Sequence, residues 1–238
     1  MLEDCELITL FADLNNLEDV KLGNEYYYLS MPFCILDTVF SIGAKYQCVR
    51  NVVERYCKYY DLAEFRTTNN KLQDPSEQHT VSDFIKNVEL HGIDRFLETV
   101  VKNTQRTSPN NGILKIEAAY RWAKEFEKCG IQTFQDISHS GLEDNIESSI
   151  LKIPGQKSGI SLSYFYMLVG NDDFCKPDRH IKNYLLKRLN RKNISEAEAV
   201  KILQRGSSLL KQRYPNMTVR LLDYAIWQYQ SDKTVSRL

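Results

Sequence analysis

The chain has 238 residues, 42% of them hydrophobic and 26% charged, an ordinary globular composition with enough length for one domain or two small ones. No run approaches the ~18 uncharged apolar residues of a membrane span, and the acidic start MLEDCELITL lacks the basic segment of a signal peptide, so a cytoplasmic protein is expected (nucleoid-associated if bacterial). The formal charge is zero, yet residues 1–150 hold 15 Lys+Arg against 24 Asp+Glu, a net of −9, and residues 151–238 hold 16 against 7, a net of +9. A polyanion would be drawn to the second half; a solvated basic face is the alternative.

The elements are almost all helical. From Phe33 to Tyr60 the apolar residues Ile35, Leu36, Val39, Phe40, Tyr46, Val49, Val52, Val53 and Tyr56 recur at spacings of three and four, with a break at Gly43. Arg66 to Thr80 is polar and reads as a loop. Thr80 with Asp83 forms a capping-box pattern, opening a helix that ends near His91-Gly92. A second helix follows from Asp94 to about Lys102, then a turn cluster from Thr107 to Gly112. ILKIEAAYRWAKEFEKCG is an amphipathic helix ending at Gly130. Asp136 to Ser140 reads as a turn and residues 143–151 as a short helix. Ser195-Glu196-Ala197-Glu198 caps a helix carrying Ala199, Ile202, Leu203, Gly206, Leu209 and Leu210, stopped by Tyr214-Pro215, and a last helix holds Leu221, Leu222, Ala225, Ile226 and Tyr229. Only Tyr26-Tyr27-Tyr28 hints at a strand.

Cys5, Cys34, Cys48, Cys57, Cys129 and Cys175 include no C-x-x-C pair, so neither a zinc ribbon nor an iron–sulfur cluster is expected, and no metal or cofactor is assigned. The most informative stretch runs from Ser149 to Gly170. A short helix, a tight turn at Ile153-Pro154-Gly155 and a second helix from about Ser158 would place backbone amides at a helix N-terminus, between Lys152 and Lys157. Partial positive charge collects there, and a phosphate can dock without its sequence being read.

IPGQKSG followed by an amphipathic helix resembles the helix-hairpin-helix element of the endonuclease III-like DNA glycosylases. After the hairpin comes the loop Gly170 to His180, and Asp178 in PDRHI falls where that family's V-D-x-H-I aspartate falls. VFSIGAKYQCVRNVV resembles its L-S-A-Q helix, and Leu114 to Ala118 (LKIEA) its S-K-A-E helix, so the similarity spans roughly Ile35 to Leu189. It is specific at the hairpin and the aspartate.

The resemblance implies an all-α protein of two helical lobes with a cleft between them. Residues 32–168 would form the central lobe, with the hairpin at about 143–169; residues 1–31 with 171–238 would form a second, basic lobe. It implies a monofunctional DNA N-glycosylase in which Asp178 stabilises an oxocarbenium-like sugar or activates water at a flipped-out, altered or mispaired base. The partner is duplex DNA, held by a monomer through phosphates near Lys152, Gly155, Lys157, Ser158, Gly159, Arg179 and His180. Tyr46, Tyr164 and Tyr166 are the base-pocket candidates, and Arg106 and Lys115 are weighed as further phosphate contacts against plain surface charge.

The departures from the family are specific. Its lyase lysine falls on Gly159, so strand cutting through a Schiff base lacks its nucleophile. The hairpin's second glycine is Lys157, the duplex-entering glutamine falls on Gly43, and the cluster cysteines are absent. Two alternatives follow: a protein of this fold that binds DNA without excising bases, or a lyase using a displaced Lys157 or Lys176. For Asp178 itself, an ordinary helix N-cap is the competing role.

Overall fold

The computed structural model describes residues 3–14, 17–68, 71–137 and 141–235. Among these the architecture is all-α: eleven α-helices, a few single helical turns and no strand. The chain divides into two compact units, Asn24–Val169 and Met1–Gly23 with Gly170–Leu238.

In the first of these units, α2 (Met31–Phe40) is apolar except at Asp37 and Thr38 and is wholly buried, as a central helix is. Around it stand α3 (Tyr46–Tyr59), α4 (Val81–His91), α6 (Lys115–Lys128) and α8 (Ile160–Leu168), with α7 (Asp144–Leu151) beside α6. The capping box at Thr80 forms as its residue types require: the Thr80 hydroxyl accepts the Asp83 N–H and the Asp83 carboxylate accepts the Thr80 N–H. The helix expected from Asp94 is split. α5 (Ile93–Phe96) runs into a π-helical turn at Leu97–Val101, and Lys102 ends it in a left-handed conformation. Tyr26-Tyr27-Tyr28 is no strand. Asn24–Tyr27 form a 3-10 turn, and Tyr28 makes an isolated antiparallel bridge to Phe65, with the Arg66 N–H on the Tyr27 carbonyl and the Leu29 N–H on the Glu64 carbonyl, both at 2.9 Å; the pairing goes no further among the described residues. The turn expected at Asp136–Ser140 begins at a 3-10 turn, Phe134–Asp136, and passes at 138–140 outside the described residues.

In the second unit, α1 (Asp4–Leu10) packs on α9 (Arg179–Leu189) and α10 (Glu196–Leu210), and α11 (Val219–Val235) closes over both of the latter. Gly206 on α10 lets Phe11 lie flat against the helix: a Cβ there would stand 2.3 Å from the Phe11 ring. Tyr184 Oη and Arg188 Nε donate to the Leu10 carbonyl at 2.8 and 3.1 Å and Arg188 Nη2 donates to the Thr9 carbonyl at 2.8 Å, so α9 satisfies the last carbonyls of α1. Arg188 also pairs with Asp13, and Arg205 pairs with Asp4.

These pairs explain the lopsided charge of the sequence. Its acidic start folds onto its basic end, so residues 1–23 and 170–238 together hold 15 Lys+Arg and 13 Asp+Glu, a net of +2, while residues 24–169 hold 16 and 18, a net of −2. The +9 half is not a +9 surface.

Candidate functional site

The hairpin is built as a tight turn between α7 and α8. Lys152 caps α7, the Gln156 N–H closes a turn onto the Ile153 carbonyl at 2.9 Å, and Pro154-Gly155 occupy its two corners. Gly155 has φ +91°, which with proline before it is the type II pattern. Glycine is required twice over here, because a Cβ would also stand 2.4 Å from Cβ of Thr107. The Gly159 N–H then bonds the Gln156 carbonyl at 3.0 Å, and Gly159, at φ +75°, caps α8, which starts at Ile160 rather than Ser158.

Lys152, Gly155, Lys157 and Ser158 are exposed and Gly159 is half-buried, so the turn is open to solvent at Gly155. Ile153 and Gln156 turn inward. Gln156 is buried, and among the described residues neither of its amide atoms has a hydrogen-bond partner.

The turn rests on the loop before α6. That loop is closed by the Thr107 N–H on the Ile113 carbonyl and the Lys115 N–H on the Gln105 carbonyl, both at 2.9 Å. Arg106 is exposed, and its guanidinium donates to the Gly112 carbonyl at 2.8 Å. Lys115 is not a surface charge: at 2% exposure its Nζ donates to the carbonyls of Phe40 and Ile42, at 2.9 and 2.7 Å, and to Gln105 Oε1 at 2.8 Å. A cation placed on the carbonyl end of α2 satisfies its free acceptors and opposes its dipole. The same three bonds brace the exposed turn carrying Gly43, whose φ is +59°.

Asp178 is the N-cap of α9. Its Oδ1 accepts the N–H groups of His180 and Ile181, at 2.8 and 3.4 Å, and both bonds fall on that one oxygen. The loop leading to it, Gly170 to Pro177, is held by α11. Arg220 Nη2 pairs with Asp172 Oδ1 at 2.7 Å, the Arg220 N–H bonds the Asp172 carbonyl at 3.2 Å, and Asp223 Oδ2 accepts the Lys176 N–H at 2.7 Å. Asp172 thus anchors this loop to α11. Burial first, then the Asp178 charge, pushes the Asp223 carboxyl well above the carboxylate range. Burial lowers the half-buried His180 imidazole, with Asp178 opposing that shift. Arg179 is exposed.

The three tyrosines do not share one environment. Tyr46 Oη donates to Glu25 Oε2 at 3.0 Å, and Tyr164 is buried among Asp37, Tyr26, Glu25 and Tyr28, which raise its hydroxyl after burial itself. Tyr28 Oη donates to Asp37 Oδ2 at 2.8 Å and accepts from Arg50 at 3.0 Å. Tyr166, two residues along α8, faces the other way: its hydroxyl donates to Glu147 and accepts the Leu142 N–H at 2.9 Å. Sequence reasoning missed Asp223, Asp37 and Glu25, all buried carboxylates. For Asp223 and Asp37 the signal was an acid set inside an apolar helical run, LLDYAI and CILDTVF.

The family to which these features belong is shown by a match that covers nearly the whole chain. The chain belongs to the family described as Domain of unknown function (DUF8548), whose model matches residues 6–231. No curated protein and no solved structure matches it.

Proposed function

We propose that this protein is a monofunctional DNA N-glycosylase of helix-hairpin-helix type, acting as a monomer on duplex DNA. The observation that carries the reading is the turn at Ile153-Pro154-Gly155, exposed at Gly155, with Lys152 and Lys157 exposed on either side of it. Such a turn holds a strand by its phosphates and leaves the bases to be flipped.

Asp178 supplies the chemistry. As the bond from C1′ to the base nitrogen breaks, the base leaves with the electron pair and the sugar becomes cationic. A carboxylate aimed at that sugar stabilises the cation, and it can take a proton from the water that adds to C1′. The cap bonds on Oδ1 fix the carboxylate's direction, which is the preorganisation that such stabilisation needs. Gly159 in place of an amine favours hydrolysis over strand cutting.

One observation favours a second reading, a DNA-binding protein that does not excise: the cap geometry of Asp178 suits a purely structural aspartate equally well. A panel of duplexes bearing different altered or mispaired bases, assayed for free base release by wild type and Asp178→Asn, separates the two. Release by wild type and its loss in the variant, with duplex binding kept, supports the glycosylase. Binding without release from any duplex supports the second reading.

A further inference from the structure

Beside the hairpin, α6 and α7 enclose a shallow groove of about 480 Å³ whose walls include Arg121, Lys124 and Lys128 of α6 and Lys152 at the end of α7. Glu125 is its one carboxylate, so the lining carries a net charge of +3. We propose that this groove is a second phosphate-binding surface, continuing the path of a nucleic-acid strand away from the hairpin turn. The inference rests on the DNA-binding reading above and extends it to α6, a helix that the hairpin motif does not include.

Three features carry it. The first is spacing: Arg121, Lys124 and Lys128 lie three and then four residues apart, so these cations share one face of α6, with Glu125 beside them. The second is that the existing partners are weak competitors. Arg121 pairs with Glu117, Lys124 with Glu127 and Lys128 with Glu125, each at 2.6 Å within α6, and Lys124 also lies 3.9 Å from Glu89 of α4. Exposed pairs of this kind contribute a few tenths of a kcal/mol, so a phosphate can replace them at little cost. The third is that Lys152 makes no ion pair among the described residues and belongs to both features, as cap of α7 and as wall of the groove. Lysines at the C-terminal ends of α6 and α7 also offset the helix dipoles.

The test is fluorescence anisotropy of a labelled, undamaged 25-base-pair duplex against salt, on the full chain. Removing one cation that neutralises a phosphate should lower the log–log salt slope by about 0.9. Lys128→Gln/Arg121→Gln is expected to lower the slope by one to two and to weaken binding at least threefold. Glu125→Gln is expected to tighten binding, a gain that a merely damaged fold would not give. Lys58→Gln, an exposed lysine on α3, is the control and should change nothing. If Lys157→Gln weakens binding while the groove variants track the control, the groove proposal falls and the hairpin reading stands. If the groove variants weaken binding and Lys157→Gln does not, the groove stands and the hairpin reading falls. If wild type does not bind the duplex at all, both fall.

Discussion

Asp223 accepts the Lys176 N–H at 2.7 Å from a buried position on α11, and so ties down the turn that ends in Asp178. The bond has a titration consequence. Burial and the Asp178 charge raise the Asp223 carboxyl in the fold, whereas in the unfolded chain it ionises at an ordinary pKa of about 3.9. Folding therefore takes up a proton at intermediate pH, and the stability linked to this group is full below about pH 4 and is lost as pH rises through the raised value. Asp223→Asn keeps an oxygen for the Lys176 N–H and removes the ionisation. It should flatten the fall in stability as pH rises above about 4 and raise stability once the Asp223 carboxyl would have ionised. Denaturant melts at several pH values check this, and an unchanged slope would count against it.

Asp178 separates cap from catalyst through two substitutions. Asparagine is a good N-cap and alanine is not, so Asp178→Ala should lose about 1 kcal/mol of stability while Asp178→Asn loses little. Loss of a charge that stabilises the sugar cation should cost both variants on the order of 10²–10³ in rate. Base release measured beside thermal melts decides the matter: an asparagine variant as active as wild type would leave Asp178 with the cap alone.

Much of the helical layout is legible in the sequence because the local signals are strong. The Thr80–Asp83 capping box and the Ser195 cap both form, with side-chain oxygens accepting the N–H three residues on. Gly130 follows α6 with φ +74°, as a glycine after a helix end should. What fails is whatever depends on neighbours distant in sequence. Lys115 looks like surface charge in an amphipathic helix, and only the arrival of Phe40 and Ile42, more than seventy positions earlier, turns it into a buried cap. The basic half looks like a polyanion surface until Arg188 and Arg205 meet Asp13 and Asp4. Tyr46, Tyr164 and Tyr166 look alike as aromatic residues, yet two residues along α8 is more than half a helical turn, which sends Tyr164 and Tyr166 to opposite sides.

Gly155 and Thr107 form a matched pair across the hairpin's support. Gly155→Ala should destabilise the protein by about 2–3 kcal/mol, since it adds the cost of a left-handed non-glycine residue to a 2.4 Å contact with Thr107. Thr107→Gly in the same chain removes the opposing Cβ and should recover part of the loss, leaving the backbone strain. Thermal melts of the two single variants and the double variant measure the coupling. Simple additivity would mean that the turn moves off Thr107 instead of resting on it.

Lys115→Met tests the brace beneath the Gly43 turn. Methionine fills similar space but donates nothing, so the carbonyls of Phe40 and Ile42 and the Gln105 amide oxygen each lose a donor. Hydrogen bonds from a charged group contribute about 1.5–3 kcal/mol each, and buried acceptors left without partners add to the cost. A loss on the order of 3 kcal/mol is expected after relaxation, with faster amide exchange around residues 40–44 as the local sign. Because Lys115 faces those carbonyls and not solvent, the variant should bind duplex DNA, measured well below its melting temperature, with the wild-type salt slope. A slope lower by about one would instead make Lys115 a phosphate ligand and would show that its buried geometry opens when DNA binds.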